Sequence, residues 1–255
     1  MKFIETLKCI YCQNSGNSKE HIIADQLLSR IPNDAWIIKN GSCKCCQNII
    51  NKFETSVIRE NYKGIRLGKG IKKEKYSIFS INGEKIDAAD AYFLAKFYFV
   101  MPLLIKEREK GLKLRHFEFI TYDPKNYLRG KLLETEEEHL IAEIISAPII
   151  DLMKMLAKIA YGFYIFHFGE KFYFKSKLPE IIIKDTLNNN ISDYIGSINK
   201  EELYSLKPET LKIFETDNHK VELLKNGNKI LAKIDLFCRD GKNDFSYIVV
   251  CGECE

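Results

Sequence analysis

The sequence predicts an α+β protein in two unequal parts: a small cysteine-clamped module, then a larger α+β domain that ends in antiparallel strands. Three observations carry this reading. Two Cys-x2-Cys pairs, Cys9/Cys12 and Cys43/Cys46, bracket a short segment near the N-terminus. Apolar residues recur at helical spacing directly after the second pair (Ile49, Ile50, Phe53, Val57). The C-terminal run "HKVELLKNGNKILAKIDLFCRDGKNDFSYIVVCGE" alternates in strand-like blocks around Asn226-Gly227 and Asp240-Gly241. With 255 residues, 45% of them hydrophobic and 29% charged, the chain can bury a substantial core.

Residues 1–62 form the first predicted module. "IPNDAWIIKNGS" reads as a short strand between turn residues, and the helix after it starts close to Cys46. "YKGIRLGKGIKKEKY" is a basic connector, bounded at 63–75, with six Lys/Arg, one Glu and three Gly. Residues 76–255 make the second domain. Within it "YSIFSINGEKI" predicts a hairpin turning at Asn82-Gly83. "DAADAYFLAKFYFVMPLLIKEREK" predicts a helix kinked near Pro102, and "LRHFEFITYD" a strand. "SAPIIDLMKMLAKIAYGFYIFHF" predicts a core helix starting at Pro148, and "PEIIIKDTL" a short helix or strand before an Asn-rich loop. The end predicts three antiparallel strands.

No run of eighteen apolar residues free of charge is present, which argues against a membrane span. The start "MKFIETLKC" lacks the apolar stretch of a signal peptide, so a cytoplasmic, reducing setting is expected. Paired cysteines there read as metal ligands rather than disulfides. Zinc takes four tetrahedral ligands, which two Cys-x2-Cys knuckles supply; Cys9, Cys12, Cys43 and Cys46 are the expected structural site, with Cys45 outside it. The net charge of +4 is unevenly spread. Residues 1–75 hold 14 Lys/Arg against 7 Asp/Glu, and the remainder 25 against 28. The basic excess beside the cysteines suits a polyanionic partner such as nucleic acid, and equally a solvated lysine-rich face.

Between the knuckles lies Glu20-His21-Ile22-Ile23, then Trp36-Ile37-Ile38, and Gln47-Asn48 follow the last cysteine. In this order the first 60 residues or so resemble the zinc-bound branch of the HNH endonucleases. That family places an acidic residue and His-Ile at the end of a first strand, and Asn or His at the start of the helix. The resemblance implies a small zinc-bound ββα-metal (HNH) module followed by a larger α+β domain. It implies hydrolysis of DNA phosphodiesters to 5′-phosphate and 3′-hydroxyl ends, with RNA not excluded, in a setting such as bacterial restriction or antiphage defence. His21 would be the general base that activates water. A catalytic Mg2+ or Mn2+ would be held by Glu20 and by Gln47 or Asn48, oxygen donors that suit a hard cation, and the zinc would be a scaffold.

The position after Cys46 is Gln47 where the family has Asn or His, and the middle Asn of the motif is Asn33 or Asn40. Asn51 and Glu54 share a helix face with Gln47, and Glu54 is a candidate for supporting the site. Residues 76–255 would recognise a target, a partner protein or a second copy of the chain. The rival reading is a zinc module that binds nucleic acid or protein without cutting, or a nuclease subunit active only within a larger complex. Near the C-terminus Cys238, Cys251, Cys254 and His219 can be drawn as a Cys3His zinc site, but strand cysteines ordinarily pack in cores. His116, His139 and His167 read as isolated structural or surface residues, and "YGFYIFHFGEKFYF" as core rather than a base-stacking platform.

Overall fold

The computed structural model describes residues 2–25, 27–28, 35–60, 79–81, 84–86, 135–169, 176–184, 194–216, 219–236 and 245–253. These residues form an α+β fold. The N-terminal sheet has three strands, β1 (Lys2–Glu5), β2 (Ser18–His21) and β3 (Trp36–Ser42), in the order β1-β3-β2. β3 is parallel to β1 and antiparallel to β2, with Glu20 opposite Ile38 and His21 opposite Ile37. Helix α1 (Lys44–Glu60) leaves β3 almost at once. Its buried residues Ile50, Phe53, Val57 and Ile58 lie at helical spacing and join the core.

β4 (Phe79–Ile81) and β5 (Glu84–Ile86) pair antiparallel with Ile81 opposite Glu84, as the predicted hairpin requires. Helix α2 (Thr135–Phe168) starts thirteen residues before the expected Pro148, so that proline lies inside the helix. The physical reason is in the sequence. Thr135 followed by Glu138 is a helix-start signature, and three acidic residues sit at the positive end of the helix dipole. One missing N–H at Pro148 does not outweigh them.

The short helix α3 (Leu178–Ile183) carries Pro in its first turn, which decides "PEIIIKDTL" as a helix. β6 (Ile195–Asn199), helix α4 (Lys200–Ser205) and β7 (Glu209–Glu215) precede β8 (His219–Asn226), β9 (Lys229–Leu236) and β10 (Phe245–Glu253). The three predicted C-terminal strands thus belong to a five-stranded antiparallel sheet, β6-β10-β9-β8-β7. β6 and β7 escaped the reading because β7 alternates weakly and is exposed at most positions.

Between Leu152 and Ile165, α2 is buried on nearly every side. It packs against α1 on one side and the five-stranded sheet on another. A single core runs from Ile10, Ile22 and Phe53 through Leu156, Ala160 and Phe163 to Val221, Ile234 and Val249. The two predicted parts therefore share one core. The connector at 63–75 lies outside the described residues, as do the predicted helix near Pro102, the "LRHFEFITYD" strand, His116, and the Asp240-Gly241 turn.

Candidate metal centre and acidic pocket

Cys9 and Cys12 sit in the tight turn after β1, which Gln13 closes with a positive φ of 63°. Backbone bonds from Cys9 N to Asn14 O and from Gln13 N to Cys9 O define the knuckle. A third bond, from Ile10 N to Gly41 O (2.9 Å), ties it to β3. Cys43 directly follows that strand and Cys46 lies in the first turn of α1, where its N–H donates to Cys43 Sγ (3.5 Å). The four Sγ atoms lie within 4.8 Å of one another, and Cys12 Sγ is 3.6 Å from Cys43 Sγ. Four thiolates on a tetrahedral zinc are spaced by about 3.8 Å, so this set fits zinc. All four are free thiols rather than disulfides, and Cys45 is exposed and apart from them. Burial pushes the Cys9 thiol up to about 11. The Cys43 thiol is also raised by burial, but the Cys46 backbone N–H and the neighbouring thiols outweigh this and bring it to about 7.

One turn of chain away, a pocket opens between β2, α1 and α2. Glu20, His21, Gln47, Asn51, Glu54 and Lys158 are among its lining. The local sequence explains why they meet. Glu20 and His21 end β2, while Gln47, Asn51 and Glu54 recur at i, i+4 and i+7 on one face of α1. Ser42 Oγ donates to Gln47 Oε1 (2.7 Å), and Gln47 Nε2 to Asn51 Oδ1 (3.5 Å). Asn48 is exposed and does not line the pocket. Asn40 lies on the surface with a φ of 57° and donates to Glu5 Oε1. Asn33 lies outside the described residues.

Lys158 was not anticipated. It reaches the pocket from the middle of α2 and is 1% exposed. Its Nζ lies 2.9 Å from Glu20 Oε1 and 2.9 Å from Glu54 Oε1, and it donates to the backbone carbonyl of His21. Glu20 is itself 1% exposed, and besides Lys158 its carboxylate has the Ser42 side chain as a hydrogen-bonding neighbour. Burial raises the Glu20 carboxyl above its ordinary value, more than the Lys158 charge lowers it. The His21 imidazole is shifted down by burial and then by the Lys158 charge. Burial works against the charge of Lys158, but Glu20 and Glu54 more than restore it. A signal for Lys158 did exist: Lys154 and Lys158 interrupt the otherwise apolar stretch 152–166 of this helix, and a lysine goes fully inside only when paired.

His219 is buried and its Nε2 donates to the Leu27 carbonyl (2.9 Å). Cys251 is buried in the core, while Cys238 and Cys254 lie outside the described residues. His167 stacks among Trp36, Phe163 and Phe166, an aromatic cluster that Phe214 closes from the large sheet. No helix among the described residues is long and apolar enough to cross a membrane. No protein-family model, curated protein or solved structure matches the chain.

Proposed function

We propose that this pocket is the hydrolytic site of an HNH-type endonuclease acting on DNA phosphodiesters. The observation that carries the reading is the meeting of Glu20, His21 and Gln47 in one pocket beside the four-cysteine cluster. His21 accepts the proton of the attacking water. Its lowered pKa favours this role, because a neutral ring at neutral pH has an acceptor nitrogen to offer. Zinc at the four cysteines fixes the end of β3 and the start of α1, and so the distance between Glu20 and Gln47. The Glu20 carboxylate, with Glu54 beside it, and the second lone pair of Gln47 Oε1 are the oxygens suited to a hard divalent ion. When bound, Mg2+ or Mn2+ supplies charge stabilisation at the leaving oxygen. Gln47 fits this role better than Asn48, which faces away from the pocket.

Plasmid nicking in Mg2+ or Mn2+ tests the reading with wild type, His21→Ala and Cys43→Ser. Wild type is expected to nick, His21→Ala to remain folded and zinc-loaded but inactive, and Cys43→Ser to lose zinc and activity together. Equal nicking by His21→Ala, or none by wild type with any divalent ion, refutes it. In the second case the reading passes to a zinc module that binds nucleic acid without cutting. The buried Lys158, already placed between the two carboxylates, is the observation that favours that alternative.

A further inference from the structure

An ammonium group has three N–H donors and no acceptor. Lys158 directs them at Glu20 Oε1, Glu54 Oε1 and the carbonyl of His21, with the Ile22 carbonyl at the edge of reach (3.5 Å). Two carboxylates and a backbone carbonyl are also the kind of oxygen set that a divalent ion seeks. The match of charge is incomplete, since one positive charge stands against two negative ones. The surplus negative charge is buried, since Glu20 is 1% exposed and its only other polar neighbour is the uncharged Ser42 side chain.

Lys158 cannot simply swing aside. Its neighbours Ala157, Ile159, Ala160 and Tyr161 are fully buried, and Tyr161 Oη donates to the Ile10 carbonyl (3.0 Å). Gly162 packs against Ile22, just past the end of β2, at a spacing where a Cβ would make ordinary van der Waals contact (3.5 Å from Ile22 Cγ1). Taking the ammonium out of the pocket therefore requires α2 to shift against the end of β2. A divalent ion at the same oxygens would bind them at about 2.0–2.6 Å, directly against the ammonium.

We propose that Lys158 is a resident cation in the position between Glu20 and Glu54 that a divalent ion would take, so that divalent binding there and burial of Lys158 exclude each other. The inference deepens the nuclease reading, on which its regulatory consequence rests: wild type takes the metal weakly, and more tightly when α2 moves the ammonium away. The competition itself does not depend on cleavage.

The test is Mn2+ binding to zinc-loaded protein, followed by electron paramagnetic resonance. Lys158→Met and Lys158→Gln are each expected to bind one Mn2+ at least tenfold more tightly than wild type, and Lys158→Arg no more tightly. Adding Glu54→Gln to Lys158→Met is expected to abolish the gain. Circular dichroism and zinc content report folding. Should Lys158→Met fold only when Mn2+ is added, that supports the competition; should it fail to fold at all, Lys158→Gln, which keeps a donor for the carboxylates, decides. Equal Mn2+ affinity in wild type and the folded neutral variants overturns the inference. Nicking assays on the same proteins separate the two ideas. A gain in Mn2+ affinity with no nicking by any variant removes the nuclease and leaves the competition. Nicking by wild type with no gain in affinity does the reverse.

Discussion

Removing the Lys158 ammonium leaves two carboxylates facing each other in a buried pocket. Two oxygens each 2.9 Å from one nitrogen cannot be far apart. At the widest spacing this allows, roughly 5.8 Å, and an effective dielectric constant of about 20, their repulsion is about 3 kcal/mol. Loss of the ion pairs themselves adds to this, and breaking a buried pair from one side typically costs about 3–5 kcal/mol. Lys158→Met is therefore expected to lose on the order of 5 kcal/mol, comparable with the whole stability of a marginal domain. Glu54→Gln does the opposite to the charge balance. It leaves Glu20 and Lys158 as a one-to-one pair and should cost about 1 kcal/mol or less. Urea unfolding of zinc-loaded protein at neutral pH without divalent ions measures both. The pH dependence has a fixed sign. The folded-state pKa of Glu20 is raised, so the folded chain binds its proton more readily than the unfolded chain does, and stability falls as pH rises through that range. The fall should be steeper in Lys158→Met, whose penalty shrinks in acid. A Glu54→Gln variant as unstable as Lys158→Met, or a penalty that grows in acid, would refute the charge accounting.

Three further outcomes follow from the geometry. Purified protein should hold one zinc per chain; Cys43→Ser should lose it, Cys45→Ser should retain it, and a strong chelator should lower the melting temperature of wild type. Gly16→Ala should behave like a cysteine loss, because a Cβ at Gly16 would lie 1.7 Å from the Asn40 carbonyl oxygen and push the first knuckle off β3; unchanged zinc content in this variant contradicts the packing. Glu222 is paired with Lys233 (2.7 Å) and Lys220 (3.2 Å), and these lower its carboxyl pKa despite burial. Its stabilisation should be complete above the ordinary carboxylate range and fade as pH falls through the lowered value, so the melting gap between wild type and Glu222→Gln should close in acid.

The elements legible in the sequence are those encoded by neighbours in the chain. The Cys-x2-Cys spacing, the strand ending at Ser42, the helix carrying Gln47 and Glu54 on one face, and the turn at Asn226-Gly227 all rest on contacts within a few residues. What stayed hidden is long-range. β7 pairs with β8 through backbone bonds that its own exposed side chains do not advertise. The helix containing Lys158 was recognised as core, but its apolar period says nothing about which side meets β2. Pro148 is compatible with a helix start, but the start itself is encoded thirteen residues earlier, at Thr135.

Lys158 also bears on why the site holds charge at all. Well-packed apolar side chains in place of a buried ionic trio are commonly neutral or stabilising, so Glu20, Lys158 and Glu54 are not explained by stability. Their net negative charge, buried around Glu20, makes the arrangement costlier than a matched pair. A chain under pressure for stability alone would have dropped one carboxylate. Keeping both is intelligible if the second negative charge is needed when the ammonium is not there. The helix that carries Lys158 rests on the five-stranded sheet, so any ligand or partner that shifts that contact acts on the pocket through one side chain. On this view the larger C-terminal part contributes the removable charge of the site, and the cysteine clamp contributes its fixed frame.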